Sequence, residues 1–327
     1  MGSADTPPRR PQLSEREFTE LAELVRDATG IAVEPSRRAW LSARLSELVA
    51  LAGCSSFHEY CERVKRDASG AELRVLTSAV TTHRTEFFRE PRQFERLRFH
   101  LAPELERRTS RPRVVRAWSA ACATGEEPYT LAMTLLEHFA PGSGWSVEVL
   151  ATDIDERVLA HAERGIYDEA QLACVPDELR EKWFVAGRGR WRGHAKVRRE
   201  LAARVRFRRL NLAASSWGLR TRFDLVFCRN VAIYFDPATE SALFRRLRAR
   251  LADGGHLFVG QAEGSQTLAE LFEDRGDCIY RRSRSPAAAL PRRDARRAPR
   301  RTAEPTQAPT GVAPCPSSPT GLPPSAA

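Results

Sequence analysis

The sequence predicts an α/β protein in which a small helical domain precedes a doubly wound, mostly parallel sheet. Three observations predict this fold class. The 327-residue length suits two domains. Apolar residues up to position 108 recur only at helical spacing. From Arg113 onward, short apolar strands alternate with helices, which is the pattern of βαβ units.

The helical domain is assigned to residues 13–90. Ser14 with Glu17 three residues later forms a capping box that starts the first helix. A second helix is predicted from Ser36, and two more follow, the last over 71–81. The residues of the second helix predicted to face inward are Trp40, Leu41, Leu45, Leu48 and Val49.

The sheet domain is assigned to residues 91–282. Its strands are predicted over 114–118, 147–152, 205–207, 223–228 and 255–260. Its helices are predicted over 128–139, 156–163 and 237–251. A last strand, 278–281, is expected to close the sheet as an antiparallel edge. The Gly- and Arg-rich segment 183–201 fits neither period and is long for a loop, so we interpret it as an insertion with its own small structure.

Composition narrows the class of protein. Net charge is +10, and half of it lies in residues 283–327, which hold 10 of the 21 prolines and no aromatic residue. We expect that tail and residues 1–12 to be disordered. The seven cysteines are scattered, which is atypical of disulfide or zinc frameworks. With no signal peptide and no apolar run of about 18 residues, the expectation is a soluble, cytoplasmic protein.

Two acidic sites follow the first two strands. The loop after the first strand lacks the GxGxxG fingerprint, and Glu126 and Glu127 at the next helix start would repel a pyrophosphate. They suit a ligand with an amino or sulfonium group, although one of them could merely stabilise the helix dipole. Asp153 ends the second strand, where a carboxylate accepts hydrogen bonds from ribose hydroxyls. Asp155 is expected to cap the following helix.

Further polar residues follow the third and fourth strands and the helical domain. Asn211 suits either an adenine neighbour or a turn. Arg229 and Asn230 directly follow a buried strand, where substrate and cofactor meet in open α/β sheets. Tyr234 either points into the same cleft or is a core aromatic. The polar segment 81–90 suits either a lid over the site or a linker.

Taken together, these segments resemble the CheR family of S-adenosylmethionine-dependent methyltransferases, which esterify glutamates on bacterial chemoreceptors. The resemblance covers about residues 13–282. It implies an α/β, Rossmann-like class I methyltransferase sheet with an N-terminal helical domain and a small inserted β-subdomain. The strings that carry it are TEFFRE (85–90), WSAACATGEEPY (118–129), ATDID (151–155), NL (211–212) and FDLVFCRNVAIYFD (223–236).

The resemblance also implies the cofactor, S-adenosyl-L-methionine, its product S-adenosyl-L-homocysteine, and no metal. Arg89 and Tyr234 are implied to be catalytic, orienting a substrate carboxylate beside the methyl group. Because a glutamate is already ionised at neutral pH, alignment is needed rather than a general base. The lid often reads TTN in the family, whereas His83 stands here. The implied cofactor-binding residues are His83, Thr85, Arg89, Glu127, Asp153, Asn211, Leu212, Arg229 and Asn230.

The implied partner is the cytoplasmic helical region of a chemoreceptor. The helical domain with Arg37, Arg38 and Arg44 resembles the face of family members that docks on that receptor region. Arg37 and Arg44 are expected on one side of the second helix; a plain solvated face is the alternative. Segment 183–201 resembles a β-subdomain that adds a strand to a receptor's C-terminal tether in some members. We expect a monomer without nucleic-acid partners or direct membrane insertion.

Two other functions are alternatives to receptor glutamate methylation. A nucleic-acid methyltransferase would favour an NPPY-type loop after the fourth strand, and the sequence there is Arg-Asn-Val-Ala. A non-catalytic S-adenosylmethionine-binding signalling module is disfavoured because Arg89, Asp153 and Tyr234 are all present.

Overall fold

The first part of the chain is helical, as predicted. The computed structural model describes residues 12–107 and 113–282, so the disorder predicted for the first eleven residues and for 283–327 lies outside the described residues. The helices of the first domain are α1 (Glu15–Thr29), α2 (Arg38–Leu51), α3 (Phe57–Arg66) and α4 (Ala71–Val80).

Both ends of α1 follow from the local sequence. The capping box is confirmed: the Glu17 amide donates to Ser14 Oγ at 3.3 Å, and the Ser14 amide donates to Glu17 Oε2 at 2.9 Å. Gly30 ends the helix with φ of +81°. A Cβ at Gly30 would lie 2.5 Å from Cβ of Ala213, so a glycine is needed where α1 meets the sheet domain.

The prediction for one residue of α2 is wrong. The helix begins at Arg38, after a 3-10 turn over Pro35–Arg37. Trp40 is 37% exposed, and the Arg37 guanidinium lies 5.5 Å from its ring centroid. Successive residues of a helix lie about 100° apart around its axis, so Trp40 is about 100° from buried Leu41. The buried stripe of α2 repeats every four residues from Leu41, and Trp40 lies outside it. The fully buried members of that stripe are Leu41, Leu45 and Val49.

Seven strands form the main sheet and three form a small one. In chain order the strands are β1 (Val114–Ala120), β2 (Ser146–Asp153), β3 (Ile166–Asp168), β4 (Phe184–Ala186), β5 (His194–Val197), β6 (Val205–Arg209), β7 (Phe223–Cys228), β8 (Leu251–Phe258), β9 (Phe272–Asp274) and β10 (Ile279–Arg282). The main sheet has the order β6-β2-β1-β7-β8-β10-β9.

The first five strands of this order run parallel, as βαβ units require. β10 is antiparallel, as predicted, but it is not the edge strand: β9 pairs with its outer side. β9 has only three residues, too few for a sequence period. Because the order reverses between β1 and β7, the crevice at their carboxyl ends is the expected ligand site of an open α/β sheet.

Helices cover the sheet on both faces. Two buried apolar clusters lie on its two sides, one with Tyr129 and Phe139, the other with Trp118 and Phe244. The helices of this domain are α5 (Pro91–Arg96), α6 (Ala102–Glu106), α7 (Glu126–His138), α8 (Glu156–Arg164), α9 (Asp177–Trp183), α10 (Arg199–Ala202), α11 (Pro237–Arg250) and α12 (Gln266–Leu271). A π-helical turn over Leu97–Leu101 joins α5 to α6.

The inserted β-subdomain begins earlier than predicted. Its antiparallel sheet has the order β3-β5-β4, so it starts at Ile166 rather than at residue 183. Three-residue β3 directly follows α8 and carries too little alternation to be recognised in the sequence. Tyr167 of β3 is buried and meets the Phe87 ring edge-on, with centroids 5.0 Å apart. The subdomain is therefore packed against segment 81–90, which is called the lid below.

Candidate active site

A cleft lies at the carboxyl ends of β1, β2 and β7, beneath the segment 81–89. Thr29 and Ile31 of the helical domain also line it. The predicted site residues that the structure brings together around this cleft are His83, Thr85, Arg89, Glu127, Asp153, Asn211, Leu212, Arg229, Asn230 and Tyr234.

The loop between β1 and α7 forms one wall with its backbone. Ala121, Ala123 and Gly125 have φ of +66°, +47° and +100°, a strained conformation for the two alanines. A Cβ on Gly125 would lie 2.7 Å from the Tyr167 hydroxyl and 2.7 Å from Cβ of Ala162. The loop is therefore held by close contacts, and its small side chains leave the cleft open.

Asp153 lies at the end of β2 and is 5% exposed. Its Oδ2 accepts the Ala123 amide at 2.9 Å, and its Oδ1 accepts the Asp155 amide at 3.0 Å. Burial raises the pKa of Asp153, and these two backbone hydrogen bonds oppose that rise. Each carboxylate oxygen can accept a further hydrogen bond, so Asp153 retains acceptors for ligand hydroxyls in the cleft.

Asp155 caps α8, as predicted, because its Oδ1 accepts the Arg157 amide at 2.9 Å. The same carboxylate also contacts the first domain, since the Ser78 hydroxyl donates to it. Nε2 of His83 lies 3.5 Å from its Oδ2. The histidine that departs from the TTN pattern thus lies beside the capping aspartate at the edge of the cleft.

The two glutamates at the start of α7 have different surroundings. Glu126 does not line the cleft: it accepts the Thr124 hydroxyl at 2.6 Å and the Gln171 amide at 3.3 Å. Glu127 does line it, and it accepts the Ser119 hydroxyl at 2.7 Å. Burial raises the pKa of both carboxyls, and for Glu127 the Arg229 guanidinium opposes that rise.

The Arg229 side chain is 2% exposed and is committed to protein groups. Its Nε lies 2.9 Å from Glu127 Oε2. Nη1 donates to Gln93 Oε1 at 2.9 Å, and Nη2 donates to the Arg89 carbonyl at 2.8 Å. Arg229 therefore joins the acidic wall of the cleft to the lid, a role that the sequence position alone did not indicate.

The Asn211 side chain makes a turn rather than presenting free polar atoms. Its Oδ1 accepts the Ala213 amide at 2.9 Å, and its Nδ2 donates to the Ala28 carbonyl at 2.9 Å. The turn alternative from the sequence is therefore the one observed. Asn211 and buried Leu212 still line the cleft, where main-chain groups remain for a ligand.

Arg89 and Tyr234 stand at the more open part of the lining, and both are half-buried. Arg89 Nη1 donates to the Arg84 carbonyl at 2.9 Å, within the lid. The Tyr234 carbonyl accepts the Ala32 amide at 2.8 Å, and an isolated antiparallel β-bridge pairs Ile31 with Phe235. The helical domain thus fixes the backbone on which Tyr234 stands.

Sequence reasoning missed two residues beside the cleft. Gln93 is 2% exposed, and its Nε2 donates to the Val259 carbonyl at 2.8 Å while its Oε1 accepts from Arg229. Glu263 follows β8 and accepts backbone amides of the loop after β7. An acidic residue close behind a predicted buried strand was the signal available for Glu263; Gln93 carried none.

Comparisons with known proteins identify the family. A family model described as CheR methyltransferase, SAM binding domain, matches residues 83–278. A second, described as CheR methyltransferase, all-alpha domain, matches residues 16–81. The chain belongs to the CheR methyltransferase family. The two matches coincide with the helical part of the fold and with the sheet that carries the cleft, so the sheet is a CheR SAM-binding domain.

Curated relatives agree with this membership. The chain is 38% identical to a probable chemotaxis protein methyltransferase of Rhizobium etli over 77% of this chain and 94% of that protein. It is 38% identical to the chemotaxis protein methyltransferase of Klebsiella aerogenes, over 83% and 91%. With that of Escherichia coli, identity is 35% over 82% and 91%. Across the described part of the CheR chain, the structure contains no helix long and apolar enough to cross a membrane.

Proposed function

We propose that this chain transfers the methyl group of S-adenosyl-L-methionine to glutamate side-chain carboxylates of a chemoreceptor, forming methyl esters and releasing S-adenosyl-L-homocysteine. The observation that carries the proposal is that one cleft of a CheR-family chain gathers acidic residues at its buried side and Arg89 with Tyr234 at its open side. The first set suits the cationic cofactor, and the second suits an anionic substrate.

The residues present fit the cofactor. Asp153 keeps hydrogen-bond acceptors for ribose hydroxyls, and Ala121 and Ala123 leave room against the backbone. Glu127 supplies a carboxylate for the amino end, with its ion pair to Arg229 fixing its position. His83 and Thr85 of the lid, with Asn211, Leu212 and Asn230, complete the proposed binding set.

Arg89 and Tyr234 are the proposed catalytic residues. Bound S-adenosyl-L-methionine supplies an electrophilic methyl group on a sulfonium. A guanidinium and a phenol can hold one oxygen of a substrate carboxylate while leaving its charge intact, so the other oxygen remains nucleophilic. The substrate glutamate is ionised at neutral pH and needs no general base. Alignment of the two groups is therefore the main contribution of the protein.

The receptor partner would meet two surfaces. In the helical domain, Arg37 is exposed, whereas Arg38 donates to the Leu13 carbonyl and Arg44 Nε donates to the Ala79 carbonyl at 2.6 Å. Arg37 lies in the turn before α2, so the proposed docking face includes that turn as well as the helix. We place the protein in the cytoplasm as a metal-free monomer that binds no nucleic acid.

The β-subdomain is the proposed site for a receptor's C-terminal tether. Val185 and Trp191 are 49% and 46% exposed along a groove that Arg188 and His194 also line. An extended peptide can add a strand to an exposed sheet edge and insert alternate side chains into such a groove. Titration with a receptor C-terminal pentapeptide tests this: saturable binding supports it, and no binding at high micromolar concentration contradicts it.

Incubation with labelled methyl donor and a receptor cytoplasmic fragment tests the reaction. Base-labile label on the receptor supports glutamate ester formation. Label in added RNA instead, or no label although the cofactor binds, contradicts it.

Variants test the assigned roles. Asp153→Ala should weaken cofactor affinity about 10- to 100-fold, because hydrogen bonds to a charged group are lost. Arg89→Ala and Tyr234→Phe should mainly lower turnover. Equal loss of cofactor affinity in all three variants contradicts this division of roles.

A further inference from the structure

The carboxylate of Glu263 is buried against the backbone of the loop that follows β7. Glu263 is 3% exposed. Its Oε1 accepts the amides of Val231 and Ala232 at 2.7 and 2.8 Å. Its Oε2 accepts the amides of Asn230 and Gly260 at 2.8 and 2.6 Å. Four backbone donors therefore converge on one carboxylate, an arrangement that compensates a buried negative charge with charge-assisted hydrogen bonds.

Three of these donors are the consecutive amides of residues 230–232, and Asn230 and Val231 line the cleft. Asn230 is in the left-handed region with φ of +58°, which is costly for a residue other than glycine. The convergence of residues 230–232 on Glu263 stabilises that conformation. Gly260 packs directly behind it, since a Cβ there would lie 2.5 Å from Asn230 Nδ2. The turn after β8 thus acts as a support for the loop.

We propose that Glu263 is a positioning residue for methyl transfer, holding the loop so that Tyr234 faces the acceptor carboxylate. This proposal rests on the proposed catalytic role of Tyr234. The 3-10 turn Ala232–Tyr234 begins at the last amide that Glu263 binds. Release of that amide therefore frees residues 230–232, immediately before the tyrosine, while the Tyr234 carbonyl still accepts the Ala32 amide.

The cofactor side of the loop is held mainly by other contacts. Arg229 is held by Glu127, Gln93 and the Arg89 carbonyl, independently of Glu263. Within the proposed cofactor-binding set, Glu263 holds Asn230, through its main-chain amide. Loss of Glu263 should therefore disturb the acceptor side of the cleft more than the cofactor side. The expected signature is a fall in turnover with little change in cofactor affinity.

Glu263→Gln is the informative variant because the amide has nearly the same shape. Each carboxylate oxygen accepts two backbone amides, so either orientation of the glutamine turns an NH₂ group toward two N–H donors. Glu270→Gln is the matched control, since Glu270 is exposed on α12 and bears the same charge.

The test measures methyl transfer to a receptor fragment and cofactor affinity by calorimetry, on the full chain. We expect Glu263→Gln to lower kcat about 10- to 100-fold, as misplacement by about 1 Å does in enzymes, while the cofactor Kd changes by less than about 3-fold. Glu270→Gln should match wild type. An unchanged kcat in Glu263→Gln, or parallel losses in kcat and cofactor affinity, overturns the proposal.

Glu263→Asp gives a second perturbation of the same loop if Glu263→Gln folds poorly, as judged by cofactor stoichiometry, because the shorter side chain keeps the charge but withdraws the carboxylate from the four amides. It should show the same split between kcat and Kd, and loss of neither or of both contradicts the proposal.

A double-mutant cycle with Tyr234→Phe tests whether Glu263 acts through Tyr234. Because both residues serve one step, Glu263→Gln should lower kcat much less in the Tyr234→Phe background than in wild type. Additive losses of kcat contradict action through Tyr234.

The measurements distinguish failure of the Tyr234 assignment from failure of the Glu263 proposal. Normal turnover in Tyr234→Phe overturns the proposed role of the tyrosine and the action of Glu263 through it. Reduced turnover in Tyr234→Phe with wild-type turnover in Glu263→Gln overturns the Glu263 proposal alone.

Discussion

Replacement of Arg229 by leucine should destabilise the protein by about 3–5 kcal/mol, the cost of removing one partner from a buried ion pair. The Arg229 and Glu127 side chains are 2% and 11% exposed, and the atoms that pair them are 2.9 Å apart. In Arg229→Leu, the Glu127 carboxylate keeps the Ser119 hydroxyl but loses its cation. The deficit is therefore that of an uncompensated buried charge.

The deficit should depend on pH in a defined direction. Burial raises the pKa of Glu127, and the guanidinium opposes this rise, so the pKa rises further in the variant. A raised pKa in the folded state favours folding at low pH, and this stabilisation is lost as pH rises through the folded pKa. Arg229→Leu should therefore lie closer to wild type at about pH 5 than at about pH 8.

Urea denaturation at both pH values measures the effect. The control pair is Arg180 with Asp177, 2.6 Å apart but 45% and 81% exposed, whose loss should cost about 0–1 kcal/mol. Arg229→Leu with Glu127→Leu should recover much of the loss, because no buried charge remains. A deficit as small as that of the control, or a double variant less stable than Arg229→Leu, refutes the reasoning.

Three further predictions concern the β1–α7 loop. Gly125→Ala should lower the free energy of unfolding by about 1–3 kcal/mol, because φ is +100° and Cβ would meet Ala162 and Tyr167; wild-type stability in urea would contradict this. Tyr167→Phe should cost about 0.5–1.5 kcal/mol, since its hydroxyl donates to the Thr124 carbonyl at 2.8 Å, and an unchanged Tm would argue against it. Burial raises the pKa of Glu126, so the contribution of this carboxyl to stability falls as pH rises above its ordinary pKa, and Glu126→Gln should gain stability relative to wild type in the same direction; a parallel pH profile would count against it.

The sequence was most informative where a local rule acts alone. The capping box at Ser14 and the cap at Asp155 depend on residues two or three apart, so their motifs predict them. The parallel strands follow from apolar runs, and parallel strands place their carboxyl ends together. That is why Asp153 and Arg229, 76 residues apart in sequence, were expected in one cleft, and both line it.

What the sequence left open depends on contacts between distant segments. The partners of Arg229 lie in the lid, α5 and α7, so its commitment to Glu127 and Gln93 needs the fold. The position of Glu263 behind a predicted strand marks it as a candidate, but the backbone amides that it binds have no sequence signature. Trp40 was placed inward from its hydrophobicity, but the position of the buried stripe on α2 excludes it.

Mass spectrometry of a receptor fragment after incubation with the full chain and S-adenosyl-L-methionine tests the central claim most directly. The account predicts one added methyl on particular glutamate side chains, removed by mild base, and none when those glutamates are replaced by alanine. It also predicts a large loss of that signal with Tyr234→Phe, although the cofactor still binds. Methyl groups on lysine, arginine or nucleic acid, or an unmodified receptor in the presence of bound cofactor, would contradict it.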